Sequence, residues 1–114
     1  MPLSVTRRKE GRINIIKVTG TVDSGNMIQV KSLLNEIGKN EAKPAVVADL
    51  TELEIISSMG WGMLINSAVD FSKAGGALKF SGMNDRVDRL FWLMGVNNQI
   101  ECFKELEEAV KSFN

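Results

Sequence analysis

The chain has 114 residues, the length of one compact domain with one core, and its 44% hydrophobic and 25% charged residues are ordinary globular proportions. It contains no His, which excludes a Ser-His-Asp triad, a Cys-His pair and His-based metal sites, and its single Cys102 forms no internal disulfide, which suits a reducing compartment. Its 14 basic and 14 acidic residues cancel, so nothing favours a nucleic-acid partner, and no apolar run approaches the roughly 20 residues of a membrane span.

The opening MPLSVTRRKE lacks the apolar segment of a secretory leader, so a cytoplasmic protein without membrane insertion is expected. Residues 3–8 (LSVTRR) and 13–18 (INIIKV) predict two short strands joined by the polar turn Lys9–Arg12. The basic cluster Arg7, Arg8, Lys9 and Arg12 flanks that turn and reads as a solvated surface. Gly20 to Asn26 then breaks the strand pattern, and Asp23 or Ser24 offers a short side-chain oxygen to cap a helix. Met27, Val30, Leu33, Leu34 and Ile37 fall on one helical face, with Gly38 where that helix is expected to end.

Pro44 to Leu50 is a continuous apolar run of the kind found in central strands, and Thr51 to Met59 reads as a loop. Trp61, Leu64, Ile65, Ala68, Val69 and Ser72 repeat at helical spacing and predict a second helix to about Ala74. Ala77 to Ser81 predicts a strand. Asn84 or Asp85 caps a third helix bearing Val87, Leu90, Phe91 and Met94, ended by Gly95. A brief strand at Ile100–Phe103 and a helix striped by Leu106, Ala109, Val110 and Phe113 complete the chain. The expected order is β-β-α-β-α-β-α-β-α: an α/β fold with a mixed, mostly parallel sheet of about five strands and about four helices, in one domain over residues 1–114. In such sheets functional groups gather where strand ends meet helix starts, here Gly20–Asn26 and Thr51–Gly62.

This order and these two loops resemble the STAS family, the sulfate transporter and anti-sigma factor antagonist domains. The family carries a strand ending Asp-Leu-Ser, then Asp-Ser-Ser-Gly-Leu-Gly opening a helix. The matching stretch runs from Asp49-Leu50-Thr51 to Ser57-Ser58-Met59-Gly60-Trp61-Gly62. Gly20-Thr21-Val22-Asp23 is similar to the family's Gly-x-Leu-Asp, and Gly75-Gly76-Ala77-Leu78 to its Gly-Gly-x-Leu. Arg86-Val87, Leu90 and Gly95-Val96 follow the spacing of its third helix.

The resemblance implies a non-enzymatic, cofactor-free regulator that binds an anti-sigma factor or serine kinase type of protein partner. It further implies that phosphorylation of the second Ser in Asp-Ser-Ser-Gly releases that partner. Counted without a gap from Asp49, that phosphoacceptor position falls on Met59, which has no hydroxyl. A gapped alignment places Ser58 there instead. Ser58 and Ser57 are therefore the phosphoacceptor candidates, and helix capping is the competing role for both. Asp23, Ser24, Ser57, Ser58, Met59, Gly60 and Trp61 are the expected partner-binding residues. A STAS subunit of a larger assembly, such as a lipid-transport complex, is the alternative, and a homodimer is left open.

The apolar residues exceed what a sheet-packed helix needs. Phe91-Trp92-Leu93-Met94 is apolar on more than one helical face, so part of it is expected at the surface. Asp49 is expected to pair with loop amides, and Cys102 to pack as a small apolar residue.

Overall fold

In the computed structural model, which describes residues 1–114, the chain opens on an antiparallel hairpin of β1 (Ser4–Glu10) and β2 (Ile13–Val22). Its turn is only Gly11-Arg12, tighter than the four residues expected, and both strands run further than their apolar stretches suggest. The first half of β2 pairs in parallel with β3 (Ala45–Asp49), which pairs with β5 (Ala77–Ser81), which pairs with the two-residue β6 (Cys102–Phe103). The mostly parallel sheet matches the expected class.

Its strands number six rather than about five. The segment expected as a loop contains β4 (Leu53–Ile56), paired in parallel with the C-terminal end of β2. The cause lies in β2. Its pairing with β3 ends at Lys17, and its ten residues leave Gly20–Val22 as an open edge that β4 fills. The register shifts between Gly20 and Thr21, where Gly20 has φ +96°. A Cβ on Gly20 would lie 2.3 Å from the carbonyl oxygen of Pro2, so the N-terminal residues lie directly against this bend.

Three helices, α1 (Met27–Asn40), α2 (Ser58–Lys73) and α3 (Asp85–Leu93), bury their stripes against one face of the sheet. The short α4 (Leu106–Lys111) lies on the other. Strand alternation divides the sheet between them. Val46, Ala48, Leu78 and Phe80 enter the large core with Val30, Leu34, Leu64 and Phe91, whereas Ala45 and Val47 pack with Ile13 and Ala109 beneath α4. Trp61, Phe80 and Phe91 form a tilted trio at the centre, with ring centroids 6.0–6.2 Å apart.

Local expectations need adjusting where tertiary packing decides. α1 passes through Gly38 to Asn40; a Cβ at Gly38 would be 3.3 Å from the Phe71 ring, so this glycine brings α1 close to α2 instead of ending it. On α2 the buried face runs through Trp61, Leu64, Ala68 and Phe71, leaving Ser72 exposed. Met94 is exposed rather than part of the α3 stripe, and the expected strand at Ile100 begins only at Cys102, after a 3-10 turn at Val96–Asn98. Cys102 packs half-buried against the large core.

Candidate functional site

Both stretches picked out from the sequence meet at one end of the sheet. Ser57, directly after β4, is extended (φ −74°, ψ 164°), and its hydroxyl accepts from the backbone N–H of Gly60 at 3.1 Å. It is the N-cap of α2, a place Ser takes because its oxygen satisfies an amide that has no partner in the first turn. Ser58 opens the helix and is exposed, and Met59 follows with 59% of its surface in solvent. No acidic residue lies in this first turn, so the positive end of the helix dipole is uncompensated.

Gly60 and Trp61 do not join that surface. Gly60 is buried: a Cβ there would sit 2.7 Å from Ile56 and 3.1 Å from Val22. Trp61 is 1% exposed, inside the aromatic trio, with no hydrogen-bond partner for its indole N–H. The expectation that both are contact residues is corrected on this point, because the helical phase that presents Met59 to solvent turns the next two positions inward.

The β2–α1 loop adjoins this helix start. The backbone N–H of Ser57 donates to the carbonyl of Val22 at 2.9 Å, which places Asp23 and Ser24, both exposed, one and two residues beyond the contact. Neither caps α1. The N-cap position is Asn26, whose amide instead donates to the carbonyl of Thr21. The Asp23 carboxylate accepts from the N–H groups of Gly25 and Asn26, both at 2.9 Å, and folds the loop on itself. Asp49 behaves likewise, accepting from the N–H of Thr51 at 3.1 Å and from its hydroxyl.

Beside Met59 an open groove of about 730 Å³ runs between α1 and α2. Met27, Met59 and Met63 line it, with Lys31 and Lys73 adding positive charge and Asp70 negative. Met27 belongs to the α1 stripe expected from the sequence and Met63 stands with Met59 and Trp61 in the apolar cluster around the start of α2, whereas Lys31 and Lys73 carried no signal of their own. Ile28, which the α1 stripe leaves out, is 57% exposed beside Met27. No group of three or more His, Cys, Asp or Glu is placed to hold a metal ion, and no helix is long and apolar enough to cross a membrane.

This end of the molecule therefore presents backbone caps, an exposed thioether and a hydroxyl. No acid-base pair is assembled at it.

Comparison with known proteins gives a consistent picture. An anti-sigma factor antagonist from Mycobacterium paratuberculosis superposes with a TM-score of 0.86 at 17% identity, covering 97% of this chain and 93% of its own. An anti-sigma-factor antagonist (STAS) domain protein from Planctomyces limnophilus gives 0.84 at 12% identity, covering 95% and 96%. The Bacillus cell fate determinant SpoIIAA in its phosphorylated form gives 0.74 at 15% identity, covering 97% and 100%. No curated protein sequence matches the chain. The model of the STAS domain matches residues 4–109, the whole sheet and all but the end of α4, and on that match the chain belongs to the STAS family.

Proposed function

We propose that this chain is a non-enzymatic, cytoplasmic protein-binding regulator of the anti-sigma factor antagonist kind. Its partner is an anti-sigma factor or serine kinase type of protein, gripped by Asp23, Ser24, Ser58 and Met59. The observation that carries this reading is the exposure of Met59 in the first turn of α2, at the position where the gapless resemblance sets the family's phosphoacceptor. The antagonists among the similar structures, one of them described in a phosphorylated form, support the class of partner. A thioether in that place binds by adaptable apolar contact and cannot carry the phosphate, so binding is independent of that mark.

A second reading, partner switching by phosphorylation at Ser58, is favoured by the difference between the two serines. Ser57 is half-buried and spends its oxygen on the Gly60 amide, whereas Ser58 is exposed at a helix start with no carboxylate in its first turn. A dianionic phosphate is tolerated at such an end and disrupts a packed interface.

Cross-linking the full chain in its own cells, followed by mass spectrometry, tests both. A kinase or a histidine-kinase-like ATPase recovered with unmodified serines supports the first reading, and the same partner with phosphate on Ser58 supports the second. Recovery of a membrane transport complex in place of either overturns the anti-sigma assignment.

A further inference from the structure

The outer side of α3 carries the largest apolar anomaly of the molecule. Trp92, Leu93 and Met94 are consecutive and 54%, 75% and 46% exposed, while Val87 and Phe91 on the opposite side are fully buried. Trp92 stands edge-on to Phe91 at 5.5 Å, and its indole N–H donates to Asp88 at 3.2 Å, so the ring is held in place rather than loose. A fixed, half-exposed Trp beside an exposed Leu is the composition of an interface centre.

The charges around this patch say what fits it. At about 100° per residue, Asp85 and Asp88 fall on one flank of the outer ridge, Arg86 and Arg89 on the other, and Trp92 and Leu93 straddle the line between them. None of the four charged side chains has an ion-pair partner in its own chain. A partner of one charge sign would meet as much repulsion as attraction. A second α3 laid parallel across a two-fold axis meets neither problem, because rotation brings the acidic flank of each helix against the basic flank of the other. An antiparallel pairing sets acid against acid and base against base.

We infer that α3 is a homodimer surface, in which two copies of this chain pair through parallel α3 helices. Asp88 of each faces Arg89 of the other, Asp85 faces Arg86, and Trp92 packs on Leu93 of the second copy. The contact is isologous, so every favourable pair occurs twice. A nine-residue helix offers little area, so the dimer is weak and forms with rising concentration. The surface lies on α3, separate from the start of α2, and leaves the proposed partner site open.

Sedimentation equilibrium of the full chain over a concentration series tests this, with acrylamide quenching of Trp92 read in parallel; Trp61 is buried and contributes a constant background. The mass is expected to double as quenching falls. Arg89→Asp places like charges together at both symmetric positions and should weaken association about tenfold. Adding Asp88→Asn to that variant removes the like-charge pair across a homodimer axis while keeping an acceptor for the Trp92 indole N–H, and should recover part of the association. A chain that stays monomeric with Trp92 freely quenched overturns the inference, as does a dimer indifferent to Arg89→Asp. Weakening by Arg89→Asp without recovery in the double variant also overturns it, pointing to a different occupant. Circular dichroism of each variant confirms that the fold is retained.

Discussion

The backbone N–H of Gly60 donates to the hydroxyl of Ser57 across 3.1 Å and, with the Trp61 N–H donating to the Ser57 carbonyl at 3.0 Å, closes the first turn of α2 under the exposed Met59. Ser57→Ala removes the acceptor and should lower unfolding stability by about 1 kcal/mol, with Ser57→Asn close to neutral, as read by urea or thermal unfolding. A loss in the Asn variant as large as in the Ala variant would show that something other than capping is lost.

Two glycines of the same turn separate space from propensity. Gly60→Ala drives a methyl against Ile56 and Val22 and should cost about 1–3 kcal/mol. Gly62 has nothing within 4 Å of where its Cβ would lie, so Gly62→Ala should stabilise the helix by roughly 0.5–1 kcal/mol. Equal effects in one unfolding series would refute this account of the turn.

Met59→Ser changes an exposed position and should leave stability within about 0.5 kcal/mol. With a kinase that phosphorylates ordinary family members, the variant should acquire phosphate at the new serine, as read by intact mass. An unmodified variant would mean that the gapless register is wrong or that kinase recognition is also lost, and a peptide bearing only the site would separate the two.

Lys79 is the one buried lysine. Its ammonium donates to the Ser112 hydroxyl at 2.8 Å and lies 4.3 Å from the Phe113 ring, tying the end of the chain to the sheet. A six-residue helix is marginal alone, so Lys79→Ala should cost about 2 kcal/mol and speed hydrogen exchange in α4 before any other helix. Uniform acceleration across the chain would contradict it.

Burial pushes the Cys102 thiol above its ordinary pKa, and the Asp88 carboxylate adds to the rise. The folded state keeps this proton at pH values where the unfolded thiol has already lost it. The contribution to stability is therefore present below the ordinary thiol range and is lost as pH rises through the folded value. Iodoacetamide at mildly alkaline pH should react several-fold more slowly with the folded chain than with the unfolded one, and Asp88→Asn should narrow that gap. Equal rates would show that the thiol is not shielded.

Most of the fold was legible because its elements carry local signals: the 27–37 stripe of α1, the Asn84 cap of α3, whose side chain accepts from the N–H of Val87, and the apolar run of β3. β4 was not, because Leu53-Glu54-Ile55-Ile56 is buried only at its two ends and becomes a strand by filling the edge that β2 leaves open. At the site, Ser57 as a cap follows from residue type and place, and the stripe through Trp61, Leu64 and Ala68 already set Trp61 on the face that meets Phe80 and Phe91, against its place among the expected contacts.

Because β2 is shared, with β3 along its first half and β4 along its last residues, the loop bearing Asp23 and the helix bearing Met59 hang from one strand. The N–H of Gly20 donates to the carbonyl of Glu52 at 3.0 Å and that of Ser57 to Val22 at 2.9 Å, so a force applied to either loop is borne by both. A partner that met this edge would meet two loops already anchored to one strand, and ordering that is in place beforehand is entropy that binding need not lose.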